Sequence, residues 1–325
     1  MQLGNLIFPE SREKMSDLKQ RLSDAIHNVG EDKLSEKINY CAMEYSKPCC
    51  QGNGYIVSKN GAFLSAKVCG CITACPNCMG AMFKVDSKGE SRACKRPLPS
   101  VVTNLFNSAH IPARYLDAKL EGFSNFTGNG QGVAANVNKY IESFEEKNQM
   151  GLIISGSVGV GKTFLLASMA KDLIAKGYSV KFVDFFQLLA EIKASFSKKE
   201  SEDTILKPLI DVDILFIDEL GKGRSTEFEF TIIDQIVMGR YNQDKPIIAT
   251  TNYLLKEHAN QQNYNYDLTQ SKDSNANNFS PDVYDTLKNR VGARVFSRLE
   301  ESCHFTELTG EDFRKMKARS RGVSF

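Results

Sequence analysis

Residues 151–163, GLIISGSVGVGKT, run from five apolar or small residues into a glycine-rich turn that ends in Lys162-Thr163. The five-residue run Gly151–Ser155 is the length of a buried strand, and the positions after Thr163 read as helix through about Lys176. The turn itself, Gly156, Ser157, Val158, Gly159, Val160, Gly161, Lys162 and Thr163, fits the pattern G-x-x-x-x-G-K-[ST]. Glycines let successive backbone N–H groups point inward, and the helix N-terminus adds partial positive charge, so the turn is built to cradle phosphates. In such a loop Lys162 reaches the β- and γ-phosphates and Thr163 ligates Mg²⁺.

Short apolar runs alternate with helical stretches from about Ile111 onward, which predicts an α/β domain with a parallel sheet. Strands are expected at Ser179–Val183, Asp213–Ile217, Pro246–Thr250 and Cys303–Leu308, with helices at Phe185–Phe196, Ile205–Ile210 and Thr226–Tyr241. The run Val212–Glu219 (VDILFIDE) ends an apolar strand in two carboxylates. Asp218 is suited to Mg²⁺ and Glu219 to activating an attacking water; Asp213, at the strand's start, reads as a cap or surface residue. Asn252, after the Pro246–Thr250 strand, would sit beside the carboxylates, where it can hold the water or read the γ-phosphate. Arg294 and Arg298 fall four residues apart on one helical face, and arginine is suited to stabilising charge on a transferred phosphoryl group.

With these residues in view, 111–325 resembles the AAA+ ATPases of the DnaC/DnaI helicase-loader and IstB transposition-helper clade. The resemblance rests on Ile111–Ala118 (IPARYLDA), Asp213–Gly221 (DILFIDELG) and Ser297-Arg298-Leu299. It implies ATP with Mg²⁺ as cofactor and Arg298 as a finger acting on a neighbouring subunit's nucleotide. It further implies Asn252 as a first sensor, Arg294 as a secondary contact and Arg314, after Phe313, as a second sensor. The clade also has a helix after the second strand that contacts single-stranded DNA; Phe185–Phe196 and Lys198-Lys199 occupy that place, although core packing explains Phe185, Leu188, Leu189 and Ile192 better. The resemblance implies a homo-oligomer that loads a replicative helicase. An IstB-like helper of a transposase, or a nucleotide-gated adaptor without DNA contact, are the alternatives.

Upstream, eight of the nine cysteines fall between Cys41 and Cys94. Met1–Glu10 lacks the basic start and apolar stretch of an export signal and no run of 18 apolar residues occurs, so the expectation is a cytoplasmic chain without a membrane span and with reduced thiols. Clustered thiols there point to a structural Zn²⁺ site. Cys75-x-x-Cys78 presents two thiolates from one knuckle, and Cys49, Cys50, Cys69, Cys71 and Cys94 complete the candidate ligands. These seven exceed one four-coordinate site and fall one short of two, a place that Cys41 or His110 would fill. Cys303 reads as inert core. The cysteine stretch resembles a zinc module of the kind found N-terminal to such ATPases.

The expected organisation is a helical segment over 1–48, a zinc module over 49–96, a proline-marked linker over 97–110 and the AAA+ domain over 111–325. The polar stretch 256–279, with nine Asn or Gln in 24 positions, is expected to be a long mobile loop. A net charge of +2 excludes a globally basic nucleic-acid coat.

Overall fold

The computed structural model describes residues 50, 53–70, 83–85, 91–93, 98–125, 128–144, 149–197, 201–255 and 285–315. The N-terminal helical segment, Cys49, Cys71, Cys75, Cys78, Cys94, Lys198-Lys199 and the polar stretch 256–279 lie outside the described residues. Two compact units are present, Met1–Ile56 with Lys67–Val101, and Val57–Ala66 with Val102–Phe325. No helix among the described residues is long and apolar enough to cross a membrane.

Strands β1 (Tyr55–Asn60) and β2 (Phe63–Val68) form a hairpin. In the first unit, β3 (Phe83–Val85) runs antiparallel to β4 (Ser91–Ala93). Cys50 and Cys69 are both buried there and pack in one cluster with Ile56. The Cys69 N–H donates to the Gly54 carbonyl at 2.9 Å and Asn53 N–H to the Cys50 carbonyl at 3.0 Å. Helix α1 (Pro99–Ala109) occupies most of the stretch read from its prolines as a linker. The correction has a simple cause: Pro99 is the first helical residue, where its missing N–H costs nothing and its fixed φ suits the helix.

In the second unit the hairpin tip is held by backbone bonds, Leu64 N–H to Ile111 O and Ala113 N–H to Ala62 O, both 2.8 Å. The Asn107 side chain accepts from Ala66 N–H at 2.8 Å and donates to its carbonyl at 3.2 Å. Two 3₁₀ turns, Ala113–Tyr115 and Leu120–Asn125, and helix α2 (Gly130–Glu142) lead to the sheet. The following elements are β5 (Gly151–Ser155), α3 (Lys162–Ala175), β6 (Val180–Asp184), α4 (Phe185–Ser197), α5 (Asp203–Asp211), β7 (Ile214–Asp218), α6 (Glu227–Tyr241) and β8 (Ile247–Thr251). The described chain closes with α7 (Leu287–Val291), α8 (Ala293–Ser302) and β9 (Cys303–Glu307). The strands and helices expected from Gly151 onward are all present, displaced by two residues at most.

The five strands lie in the order β6-β7-β8-β5-β9, all parallel. Apolar runs such as Ile214–Ile217 are buried throughout because helices cover both faces. Ile153, Leu215, Ile217 and Ala249 pack with α4, α6 and α8 through Leu188, Ile192, Ile232, Ile236 and Leu299. Phe185, Leu188, Leu189 and Ile192 are core, as their spacing predicts, while Phe186 and Phe196 on the same helix stay exposed. Cys303 is buried at the start of β9, and burial pushes its thiol up to about 12.

Arg240, fully buried near the end of α6, binds five main-chain carbonyls. One guanidinium nitrogen donates to Leu209, Ile210 and Val212 at 2.8, 3.2 and 2.9 Å, and the other to Asp213 and Pro246 at 2.9 and 2.8 Å. Leu209 and Ile210 lie in the last turn of α5, where carbonyls have no intrahelical partner. Asp213 is therefore no surface residue: it is buried, and its carboxylate accepts from Ser179 N–H at 2.8 Å while its own N–H donates to Ser179 Oγ at 3.0 Å. Replacing Arg240 with Met leaves these carbonyls unpaired in the core. The expected loss is about 3–5 kcal/mol, read as a lower urea midpoint; an unchanged midpoint would refute the role.

Candidate functional site

The parallel register aligns the C-terminal ends of the strands, with Asp184 opposite Asp218, Ile217 opposite Ala249, and Ser155 between Thr251 and Glu307. Open parallel sheets bind ligands beyond this edge. All of the glycine-rich turn and both carboxylates of Asp218-Glu219 lie there.

Within the turn, Gly159 adopts φ +88. A β-carbon on it would collide with the Asp312 carboxylate, and its carbonyl accepts from Phe313 N–H at 3.1 Å. The segment after β9 thus lies against the turn, pinned by the Asn129 side chain, which donates to Glu307 O and accepts from Thr309 N–H, both at 2.8 Å. Arg314 is exposed on this segment, its N–H bonded to the Asp312 carboxylate at 2.9 Å.

Lys162 is buried and its ammonium donates to the carbonyls of Gly156 and Ser157, both at 2.7 Å. Burial lowers its pKa to about 8 against the opposing pull of Asp218 and Glu219. The Thr163 hydroxyl donates to Asp218 at 3.0 Å, and the Thr250 hydroxyl donates to the same carboxylate oxygen at 2.5 Å. Burial raises the Asp218 pKa, and the two hydroxyls oppose the rise. Thr250 also accepts from the Glu219 N–H at 3.1 Å. Tyr115 joins from the first 3₁₀ turn, its side chain hydrogen-bonded to Thr163 and its carbonyl held by Lys171 at 3.2 Å.

Glu219 sits in the left-handed region at φ 56, a conformation that costs about 1–3 kcal/mol outside glycine and persists only where neighbours impose it. Its carboxylate pairs with Lys222. Asn252 is exposed at the end of β8, next to Thr251, whose hydroxyl donates to Leu220 O at 2.9 Å.

Residues 123–270 match the family model of the IstB-like ATP binding proteins. The replicative helicase loader DnaC of Escherichia coli strain K12 is 28% identical over 179 residues, 55% of this chain and 70% of that protein. The P-loop domain is an AAA+ domain of the DnaC/IstB clade. The DnaC of Buchnera aphidicola subsp. Acyrthosiphon pisum is 37% identical over 101 residues, 30% of this chain and 41% of that one. A crystal structure of a DnaC helicase loader superposes with a TM-score of 0.48 at 25% identity, covering 60% of this chain and 99% of the other.

The AAA+ domain gathers Gly156–Thr163, Asp218 and Glu219 at one edge, whereas Arg298 sits by Tyr241. Helix α6 runs back from this edge, so Tyr241 at its end marks the opposite one, a strand length or about 16 Å away. The Arg298 guanidinium lies over the Tyr241 ring at 5.8 Å and donates to Arg294 O at 2.9 Å, while its buried Nε has no hydrogen-bond partner among the described residues. Arg294 is largely exposed, 3.6 Å from the Asp234 carboxylate.

The donor set fits a nucleoside triphosphate with Mg²⁺: a hydroxyl and a buried carboxylate 3.0 Å apart, a cationic side chain, and a turn with no room for a side chain at Gly156 or Gly159. Of the zinc candidates, Cys50 and Cys69 are described; no three metal-ligating side chains come together among the described residues, and the His110 ring stacks on Phe63 at 4.9 Å. Sequence reading missed Thr250, Tyr115 and Lys222. Thr250 was findable from register, since a strand aligned with β7 puts it beside Asp218. Thr250→Val keeps the shape and removes the hydroxyl from Asp218 and the Glu219 N–H. Stability should fall by about 1–3 kcal/mol in urea titration and recover in Thr250→Ser; a valine variant of undiminished stability would show the hydroxyl to be idle.

Proposed function

We propose that this chain hydrolyses ATP to control its own assembly and to deliver a replicative helicase to single-stranded DNA. The observation that carries the reading is the meeting of Lys162, Thr163, Asp218 and Glu219 at one sheet edge, in a domain of the clade that includes the loader DnaC. Thr163 and Asp218 would hold Mg²⁺, which on binding withdraws charge from the β- and γ-phosphates. Lys162 exchanges the Gly156 and Ser157 carbonyls for phosphate oxygens. Glu219, released from Lys222, takes a proton from the attacking water as the bond to the leaving ADP breaks, and Asn252 orients that water.

Arg298 faces away from its own P-loop, and an arginine with an unpartnered buried N–H there suits a neighbouring subunit's γ-phosphate, with Arg294 beside it. Arg314 would reach its own nucleotide as a second sensor, a reading supported by the contact of Phe313 with Gly159. The exposed Phe186 and Phe196, with Lys193 over Phe228 at 5.1 Å, offer stacking faces and charge to single-stranded DNA. The family-model match favours a second reading, an IstB-like helper of a transposase.

Glu219→Gln and Arg298→Ala should each bind ATP normally and lose turnover, Arg298→Ala by up to about 10³-fold. Mixing the two should restore part of the activity, because some interfaces then hold both intact halves. A mixture that co-assembles and stays inactive places Arg298 outside catalysis in trans. Offered a purified hexameric replicative helicase and ATP, the full chain should retain the helicase; retention of a transposase instead establishes the second reading.

The same reading gives the N-terminal cysteines a structural Zn²⁺, supported by two buried thiols side by side at Cys50 and Cys69. One or two equivalents per chain are expected by metal analysis under reducing conditions. A content well below one rejects it.

A further inference from the structure

Arg290 lies on the short helix α7, with only 13% of its side chain exposed, and no motif singles it out. Its Nε donates to Gly221 O at 3.1 Å and one terminal nitrogen donates to Gly223 O. The other pairs with the Asp285 carboxylate at 3.3 Å. The face of the guanidinium covers the Tyr253 ring at 4.7 Å. Gly221 is in the left-handed region at φ +84, and a β-carbon there would stand 2.9 Å from Arg290 Cβ, so the close approach requires glycine. One planar group therefore ties the turn that follows Glu219 to the residue that follows Asn252.

That turn needs restraint. Glu219, Gly221 and Ser225 all have positive φ within seven residues. Its far side is held by the buried Glu229 carboxylate, which accepts from Arg224 and Ser225 N–H at 2.8 Å; its near side is held by Arg290. A lysine's compact ammonium lacks both the planar fork of spaced donors and the flat face that covers the ring.

We propose that Arg290 is a positioning residue for hydrolysis: it holds Glu219 and Asn252 in one frame and contributes nothing to nucleotide affinity. The inference rests on the reading of Glu219 as the residue that activates water. It also gives the segment 290–298 two ends, Arg290 acting on its own subunit's Glu219 and Arg298 directed at a neighbour.

The test uses full-length wild type, Arg290→Gln and Arg290→Lys, with ATP affinity from equilibrium binding and kcat at saturating ATP. The expected result is an ATP Kd within about twofold of wild type for both variants. For Arg290→Gln, kcat should fall on the order of 10- to 100-fold, the scale of a small misplacement of a reacting group, and Arg290→Lys should fall between. Should Arg290→Gln fail to fold, Tyr253→Leu removes the ring contact alone and should show the same split in smaller degree. A folded variant with kcat within twofold of wild type overturns the inference, as does a Kd that worsens in step with kcat. A wild type that binds ATP without turning it over overturns the proposed hydrolysis and this inference together, whereas an active wild type with an indifferent variant overturns the inference alone.

Discussion

Asp218 ends a strand of otherwise apolar residues and keeps less than a tenth of its surface in contact with solvent. A carboxylate so placed has to be bonded from within the protein, because its hydration is gone. Two hydroxyls do this, one from the first turn of α3 and one from β8, and each can reach only if the three elements keep their register. The order β7-β8-β5 supplies that register. The glycine-rich turn after β5, the carboxylates after β7 and the polar residues after β8 are thereby a single construction.

The parts legible in the sequence are those whose chemistry demands particular residues at fixed spacing within a short stretch. Gly156–Thr163 and Asp218-Glu219 announce themselves because a phosphate cradle and a metal-binding strand end tolerate few alternatives. The five strands were legible because a sheet covered on both faces needs continuous apolar runs. Thr250 carried no signal as a threonine in a strand; its role appears only with the register. Arg240 and Asp213 are polar residues most of whose partners lie more than 25 positions away, so composition alone could not place them inside. The 3₁₀ turns are too short to show a period, and in α2 the helical spacing of Val133, Ala134, Val137 and Ile141 is diluted by small and polar neighbours. Pro99 shows how local rules mislead: the residue that ends helices also begins them.

Arg240 does for the opposite edge of the sheet what Asp218 does for the site. The carbonyls at the end of α5 and ahead of β7 and β8 converge on a point without water, and one guanidinium answers all of them. Burial lowers its pKa to about 9, with the Asp213 charge opposing the shift. One buried side chain thus ties together the edge at which α6 ends with Tyr241.

The contact between Gly159 and the segment 308–313 makes the end of the chain a handle on the phosphate turn. Gly159 cannot shift by more than the tolerance of a hydrogen bond without breaking the Phe313 contact or carrying the segment along, and the Asn129 side chain anchors that segment on the far side. A change in the turn at Gly159 is therefore a change for residues 308–313 as well, and the two are one mechanical unit.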